Sequence, residues 1–169
     1  MNHPGETGLE VVMGILKNQT LEMKNVLSYR GKVTQQEFAL KSQEIQTIIE
    51  KSGAAKDGNI ATTTYAVEQT ESGQVMDVEI LVPLDRKIEV PQGYTLKDEL
   101  LITNALKISH RGNPALLQNA ANELNNYIVS NGLVPITTGY NVTVKEAKDP
   151  SEIDSMEVDI YVGISPNKL

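Results

Sequence analysis

The 169-residue chain has no cysteine, no tryptophan, one phenylalanine and two histidines. Without thiols, disulfide scaffolds, thiolate metal sites and cysteine nucleophiles are excluded. His3 and His110 are the only imidazoles, and neither has a nucleophile or orienting acid visible beside it in sequence. Basic residues are outnumbered, 15 against 22 acids, for a formal charge of −7. That balance argues against a nucleic-acid surface, because phosphate binding needs clustered Lys and Arg. No apolar run approaches the roughly 20 residues that span a bilayer, and the first residues lack the basic and apolar regions of a signal peptide. A Gly-rich phosphate loop, a zinc motif, a serine elbow and a kinase signature are all missing. The expectation is a soluble, cytoplasmic protein with no metal, no cofactor, no nucleic acid and no membrane contact.

What is present is apparent self-similarity. Leu27-Ser28-Tyr29-Arg30-Gly31 returns as Ile108-Ser109-His110-Arg111-Gly112, an offset of 81 (109 − 28). Met76-Asp77-Val78-Glu79-Ile80-Leu81-Val82 returns as Met156-Glu157-Val158-Asp159-Ile160-Tyr161-Val162, an offset of 80 (156 − 76). Tyr65-Ala66-Val67 and Tyr140-Asn141-Val142 make a third pair. Two copies of one supersecondary unit imply a pseudo-two-fold molecule. The expected organisation is a single domain: an N-terminal extension at 1–19, a first unit at 20–84, a connector at 85–98 and a second unit at 99–169.

Each unit reads as β-α-β-β, which makes the expected class α+β, with antiparallel sheets and helices packed on one face. In the first unit a strand over 20–29 precedes Thr34-Gln35-Gln36-Glu37, a capping box. Phe38, Ser42, Ile45, Ile48 and Ile49 then share one helical face, and Gly53 offers a left-handed stop. Strands follow at 60–67 and 75–84. In the second unit a strand over 100–110 leads to Asn113-Pro114, a cap with proline at the first helical position. Leu117, Ala120, Ala121, Leu124, Tyr127 and Ile128 give the helical face, Asn131-Gly132 the stop, and 136–144 and 156–164 the closing strands. In those last strands the aliphatic residues alternate with acids. The aliphatic set should lie under the helix, and Asp77, Glu79, Glu157 and Asp159 should face outward. The type of the 9–16 segment is left open.

Glu79 and Asp159 occupy matching positions and are flanked by Tyr65, Tyr140 and Tyr161. Acid charge and aromatic faces together suit a cationic, partly aromatic ligand. The plainer reading makes these carboxylates solvated faces of half-exposed strands. Arg30 and Arg111, each before a glycine at a strand-to-helix junction, suit an anion beside a helix N-terminus, or else brace the turn.

The order strand, helix, glycine stop, Tyr-containing strand and acid-aliphatic strand, with the ending Val78-Glu79-Ile80-Leu81-Val82-Pro83-Leu84, resembles the GyrI-like fold, the effector-binding domain of multidrug-responsive transcription regulators. Within it the chain looks closest to stand-alone proteins encoded in Firmicutes beside LXG toxins of the type VII secretion system. The resemblance covers 20–164. It implies a groove between the two units that takes small amphipathic, often cationic, molecules. Relatives carry a buried glutamate in the strand after the second helix, where 136–144 holds no acid; some relatives are hydrolases that pair a Glu with aromatic residues.

The function expected from these readings is a non-enzymatic small-molecule-binding module, with Tyr65, Glu79, Tyr140, Asp159 and Tyr161 as ligand-binding residues and no catalytic residue. The alternative is a protein-interaction role, as an adaptor, chaperone or accessory factor of a toxin or secretion system. The partner is then a small amphipathic molecule or a protein; the oligomeric state is not indicated.

Overall fold

The structure, a computed structural model, describes residues 11–12 and 14–167; His3 and the polar N-terminal stretch lie outside the described residues. The elements run β1 (Val11–Val12), β2 (Ile15–Val33), α1 (Gln35–Ser52), β3 (Ala61–Thr70), β4 (Gly73–Pro83), β5 (Tyr94–Arg111), a 3-10 turn (Pro114–Leu116), α2 (Leu117–Ser130), β6 (Tyr140–Lys145), a second 3-10 turn (Pro150–Ser155) and β7 (Glu157–Gly163). The class is α+β, and the strand pairings described below are antiparallel. The chain divides into two compact units: a central one, Glu22–Leu100, and a terminal one, Met1–Leu21 with Leu101–Leu169.

In the central unit β4 is the middle strand, paired with β2 on one side and β3 on the other. Leu27, Ile80 and Val82 lie on the face that receives Ile45 and Ile49 of α1, with Ala54 and Leu84 completing the cluster. The helix forms where its sequence says it should. Thr34 accepts from the Glu37 backbone N–H at 3.2 Å, and Glu37 accepts from the Thr34 N–H at 2.9 Å, so two of the helix's orphan donors are satisfied at once. Gly53 closes it at φ 78°. Ser42, expected on the buried face, is exposed.

The terminal unit has the same plan. β7 is its middle strand, between β5 and β6. Ile108, Ile160 and Val162 meet Ala120, Leu124 and Ile128 of α2. Asn113 caps through its side chain, accepting from Ala115 N–H at 2.9 Å, and Pro114 opens a 3-10 turn before the α-helix begins at Leu117. β1 pairs with the start of β2, so within the 9–16 segment Val11–Val12 and Ile15–Leu16 are strand, while Gly14 is in a turn at φ 80°.

Three strands start more than two residues from where the sequence reading puts them. β2 starts at Ile15 rather than 20 and runs through the expected extension, with Asn18 and Asn25 at left-handed φ values of 57° and 50°. Beyond Asn25 its pairing with β4 is regular, and Val26, Leu27 and Ser28 are buried in succession because both faces of the sheet are covered there. β5 starts at Tyr94 rather than 100: residues 85–98 belong to the central unit, and from Tyr94 onward they are strand. β6 starts at Tyr140 rather than 136, since Pro135, which has no N–H to offer a ladder, makes only an isolated bridge with Ile164.

The internal geometries of the two units agree at one spacing. Asn25 and Asn104 are both left-handed, at φ 50° and 52°, and 79 residues apart (104 − 25). Each donates its side-chain amide to the carbonyl just after its unit's last strand, Leu84 at 3.4 Å and Ile164 at 2.9 Å. The same spacing relates the caps Thr34 and Asn113, the left-handed Gly53 and Gly132, and the irregularities at Thr64/Ala66 and Thr143/Lys145.

That spacing corrects the anchors drawn from sequence. Arg30 stands opposite Glu79, whereas Ser109 stands opposite Asp159. Ser109 therefore corresponds to Arg30, and the 27–31 and 108–112 segments match two residues out of step. A slip of two leaves every side chain on its original face, so alternation could not expose it. Tyr65 and Tyr140 are not counterparts either. Tyr65 is the extra residue at the β3 irregularity, while Tyr140 pairs with Tyr161, where the central unit pairs Ala61 with Leu81.

Candidate functional site

Away from α1, the second face of the central sheet carries a polar cluster around Glu79. The expectation that this acid faces outward is overturned: Glu79 is 3% exposed. Every residue of β4 from Val78 to Pro83 is buried, so both faces of the strand are covered. Glu79 sits between Arg30 of β2 and Thr63 of β3 in the ladder. Ser28, one pleat along β2, donates its hydroxyl to Oε2 at 2.6 Å. Tyr65 donates its phenol to Oε1 at 2.8 Å, and Lys97 of β5 reaches Oε2 at 2.5 Å.

A carboxylate so buried is destabilised by its lost hydration, which pushes its pKa up. The donors from Lys97, Ser28 and Tyr65 outweigh that burial and hold the carboxyl below its ordinary value. Tyr65 is itself stacked: the Arg30 guanidinium lies 3.8 Å from its ring centroid. Arg30 also pairs with Asp77 at 3.2 Å. The Arg30 reading as an anion site thus gives way to a cation held by an acid and an aromatic ring.

In the terminal unit the other three expected residues share the face away from α2, since Tyr140 stands opposite Tyr161 and Val142 opposite Asp159. Ser109 donates to Asp159 at 2.6 Å and Lys107 approaches it at 3.5 Å. The Lys107 ammonium also lies 5.7 Å from the Tyr161 ring centroid. Tyr140 is buried. The structure thus brings Tyr65 to Glu79 in one unit, and Tyr140, Asp159 and Tyr161 to one sheet face in the other. His110 Nε2 lies 3.0 Å from the Asn113 carbonyl, bracing the turn into α2.

Sequence reasoning missed Ser28, Lys97 and Lys107. Lys97 was assigned to a connector, and no short-range pattern links it to an acid 18 residues earlier. Lys107 was legible in principle: it lies within the strand expected over 100–110, one residue from Ile108 and so on the opposite face. A separate cavity of about 630 Å³ in the terminal unit is lined by Asn104, Leu106, Leu133 and Ile164 among others, and by none of the expected site residues. Among the described residues no cluster of three or more His, Asp or Glu could hold a metal ion, and no helix is long and apolar enough to cross a membrane.

No protein-family model matches the chain, and no curated protein does. Solved structures do. The chain is similar to EcmrR in its complex with DNA in EcmrR-RPo, with a TM-score of 0.72 and 17% identity over 90% of this chain. It spans 58% of the length of that EcmrR chain. Similarity to the EcmrR C-terminal domain covers 88% of this chain and 98% of that one, with a TM-score of 0.70 and 15% identity. A hydrolase from Listeria innocua is similar at a TM-score of 0.55 and 13% identity, over 89% of this chain and 90% of that one. The acidic balance describes this chain's own surface only, and the exclusion of nucleic acid inferred from it gains no support from a DNA-bound neighbour. At these identities the likeness is one of architecture: the chain has the fold of the EcmrR C-terminal domain.

Proposed function

We propose that this chain is a non-enzymatic, small-molecule-binding module of the GyrI-like kind, built from one duplicated β-α-β-β unit. The constant spacing of 79 residues between caps, stops and left-handed asparagines supports the duplication. The observation that carries the binding role is Glu79: a buried carboxylate on a sheet face, bound by three side chains from three other strands, in a domain with the EcmrR C-terminal fold. A buried ion pair contributes little net stability compared with an apolar replacement. Retaining one therefore points to a recognition role, with Tyr65 and exposed Ala66, which stands opposite Asp77 on the Glu79 face, supplying aromatic and aliphatic surface for an amphipathic ligand.

The test is a thermal-shift and calorimetric screen of amphipathic compounds of differing charge against the wild type and Glu79→Gln. Ligands whose binding weakens about tenfold or more in the variant are expected. A screen without hits, together with a stoichiometric protein recovered from the native host, would favour the adaptor reading instead.

A further inference from the structure

Two features of this chain would draw a cationic ligand: acidic side chains on a covered sheet face and aromatic rings beside them. In both units the chain's own cations already occupy them. Lys97 sits 2.5 Å from the Glu79 carboxylate, and Arg30 covers the Tyr65 ring at 3.8 Å while pairing with Asp77. In the terminal unit Lys107 serves both purposes, 3.5 Å from Asp159 and 5.7 Å from the Tyr161 ring. The central cluster thus sets two acids, Asp77 and Glu79, against two bases, Arg30 and Lys97.

From this arrangement we infer that the Glu79 site selects neutral amphipathic ligands and rejects cationic ones, with Lys97 as the specificity-determining residue. This rests on the reading that the Glu79 face receives a ligand. An incoming ammonium would surrender its hydration and meet a carboxylate whose charge is already compensated. To displace Lys97 it would have to break that lysine's 2.5 Å bond to Glu79 and turn it out to solvent, with its own lost hydration as the cost and no net charge gained; the neighbouring Asp98 is already paired with Lys87 at 3.2 Å. A neutral molecule has no such conflict. It can exchange hydrogen bonds with the Tyr65 and Ser28 hydroxyls and lay its apolar part on exposed Ala66, which stands opposite Asp77 on the same face, with the Lys97–Glu79 pair left intact. The lysine therefore acts as a tethered counterion, in the place a cationic headgroup would take.

A matched pair of probes isolates charge from shape: benzyltrimethylammonium and its uncharged isostere neopentylbenzene. Binding is followed by NMR titration on the whole chain, in the wild type, Lys97→Met and the Lys97→Met/Glu79→Gln double variant. The wild type is expected to favour the neutral probe. Lys97→Met is expected to gain about tenfold or more for the ammonium, a gain of at least 1.4 kcal/mol, and the double variant to lose that gain. Equal or tighter ammonium binding by the wild type, relative to either the neutral probe or Lys97→Met, overturns the inference while leaving ligand binding intact. The wild-type comparison stands even if Lys97→Met does not fold, and the double variant removes both charges together. Binding of neither probe to any form removes the Glu79 face as a ligand site, and the inference with it.

Discussion

On the central sheet the middle-strand acid keeps only 4% of its side chain exposed and takes three side-chain donors; its counterpart on the terminal sheet, Asp159, keeps 14% exposed and meets two. Beneath both acids lie similar aliphatic clusters, a helix each, and the same order of pairing. The difference comes from what surrounds the acid. In the central unit a long reach from β5 brings Lys97, and the extra residue in β3 brings Tyr65. In the terminal unit the lysine comes from the adjacent strand, and the corresponding irregularity holds Val144. Packing under the helix is thus the shared constraint, and the opposite face is where the two units differ chemically.

Several measurements would sharpen or break that contrast. The largest effects belong to the shared core. Ile80→Ala and Ile160→Ala should each cost about 2–5 kcal/mol in urea unfolding, since each removes a buried branch beneath a helix. A large inequality between them would show that the clusters are not equivalent supports. Next come the acids. Glu79→Ala should cost about 2 kcal/mol and Asp159→Ala about 1, because the first leaves Ser28 and Tyr65 without an acceptor in a covered place, whereas Lys97 can turn to solvent. A reversed order would contradict the burial contrast.

Acid titration separates the central site further. The Glu79 pKa is lowered in the folded chain, so the native state binds its proton less readily than the unfolded one. Its contribution is present above the unfolded value of about 4.5 and is lost as pH falls through the lower folded value. Glu79→Gln should therefore flatten the loss of unfolding free energy below pH 4.5. An unchanged slope would mean that other carboxyls carry it. The smallest effects are at the caps. Thr34→Ala, which removes half of a reciprocal pair, should cost about 1 kcal/mol, and Asn113→Ala, capping only a 3-10 turn, about 0.5, both read from chemical denaturation.

Much of this was written locally. The capping box, the left-handed Gly53, the aliphatic stripes of both helices and the alternation of β4 and β7 all depend on neighbours within a few residues, and each stands where periodicity put it. The site was legible only as residue types. Tyr65, Glu79, Tyr140, Asp159 and Tyr161 were read as one set, whereas Tyr65 joins Glu79 in one unit and the other three share a sheet face in the other; that division depends on register, and register is invisible to a pattern of period two. The burial of Glu79 was missed for a related reason. Alternation tells which residues share a face but not whether that face is wet. Lys97 was lost to a boundary error, since the Pro91-Gln92-Gly93 turn masks a strand beginning immediately after it.

The unpaired residue at Tyr65 sets a rule for how related chains can vary. Deleting Tyr65 would leave Thr64 opposite Val78 and Ala66 opposite Asp77, the pairing that already flanks it, so the strand beyond would keep its faces and only the phenol would be lost. A single-residue length difference at this point is therefore absorbed without turning the sheet over. Homologues that lack the extra residue should keep the same faces and should show a different residue taking over the hydroxyl bond to Glu79.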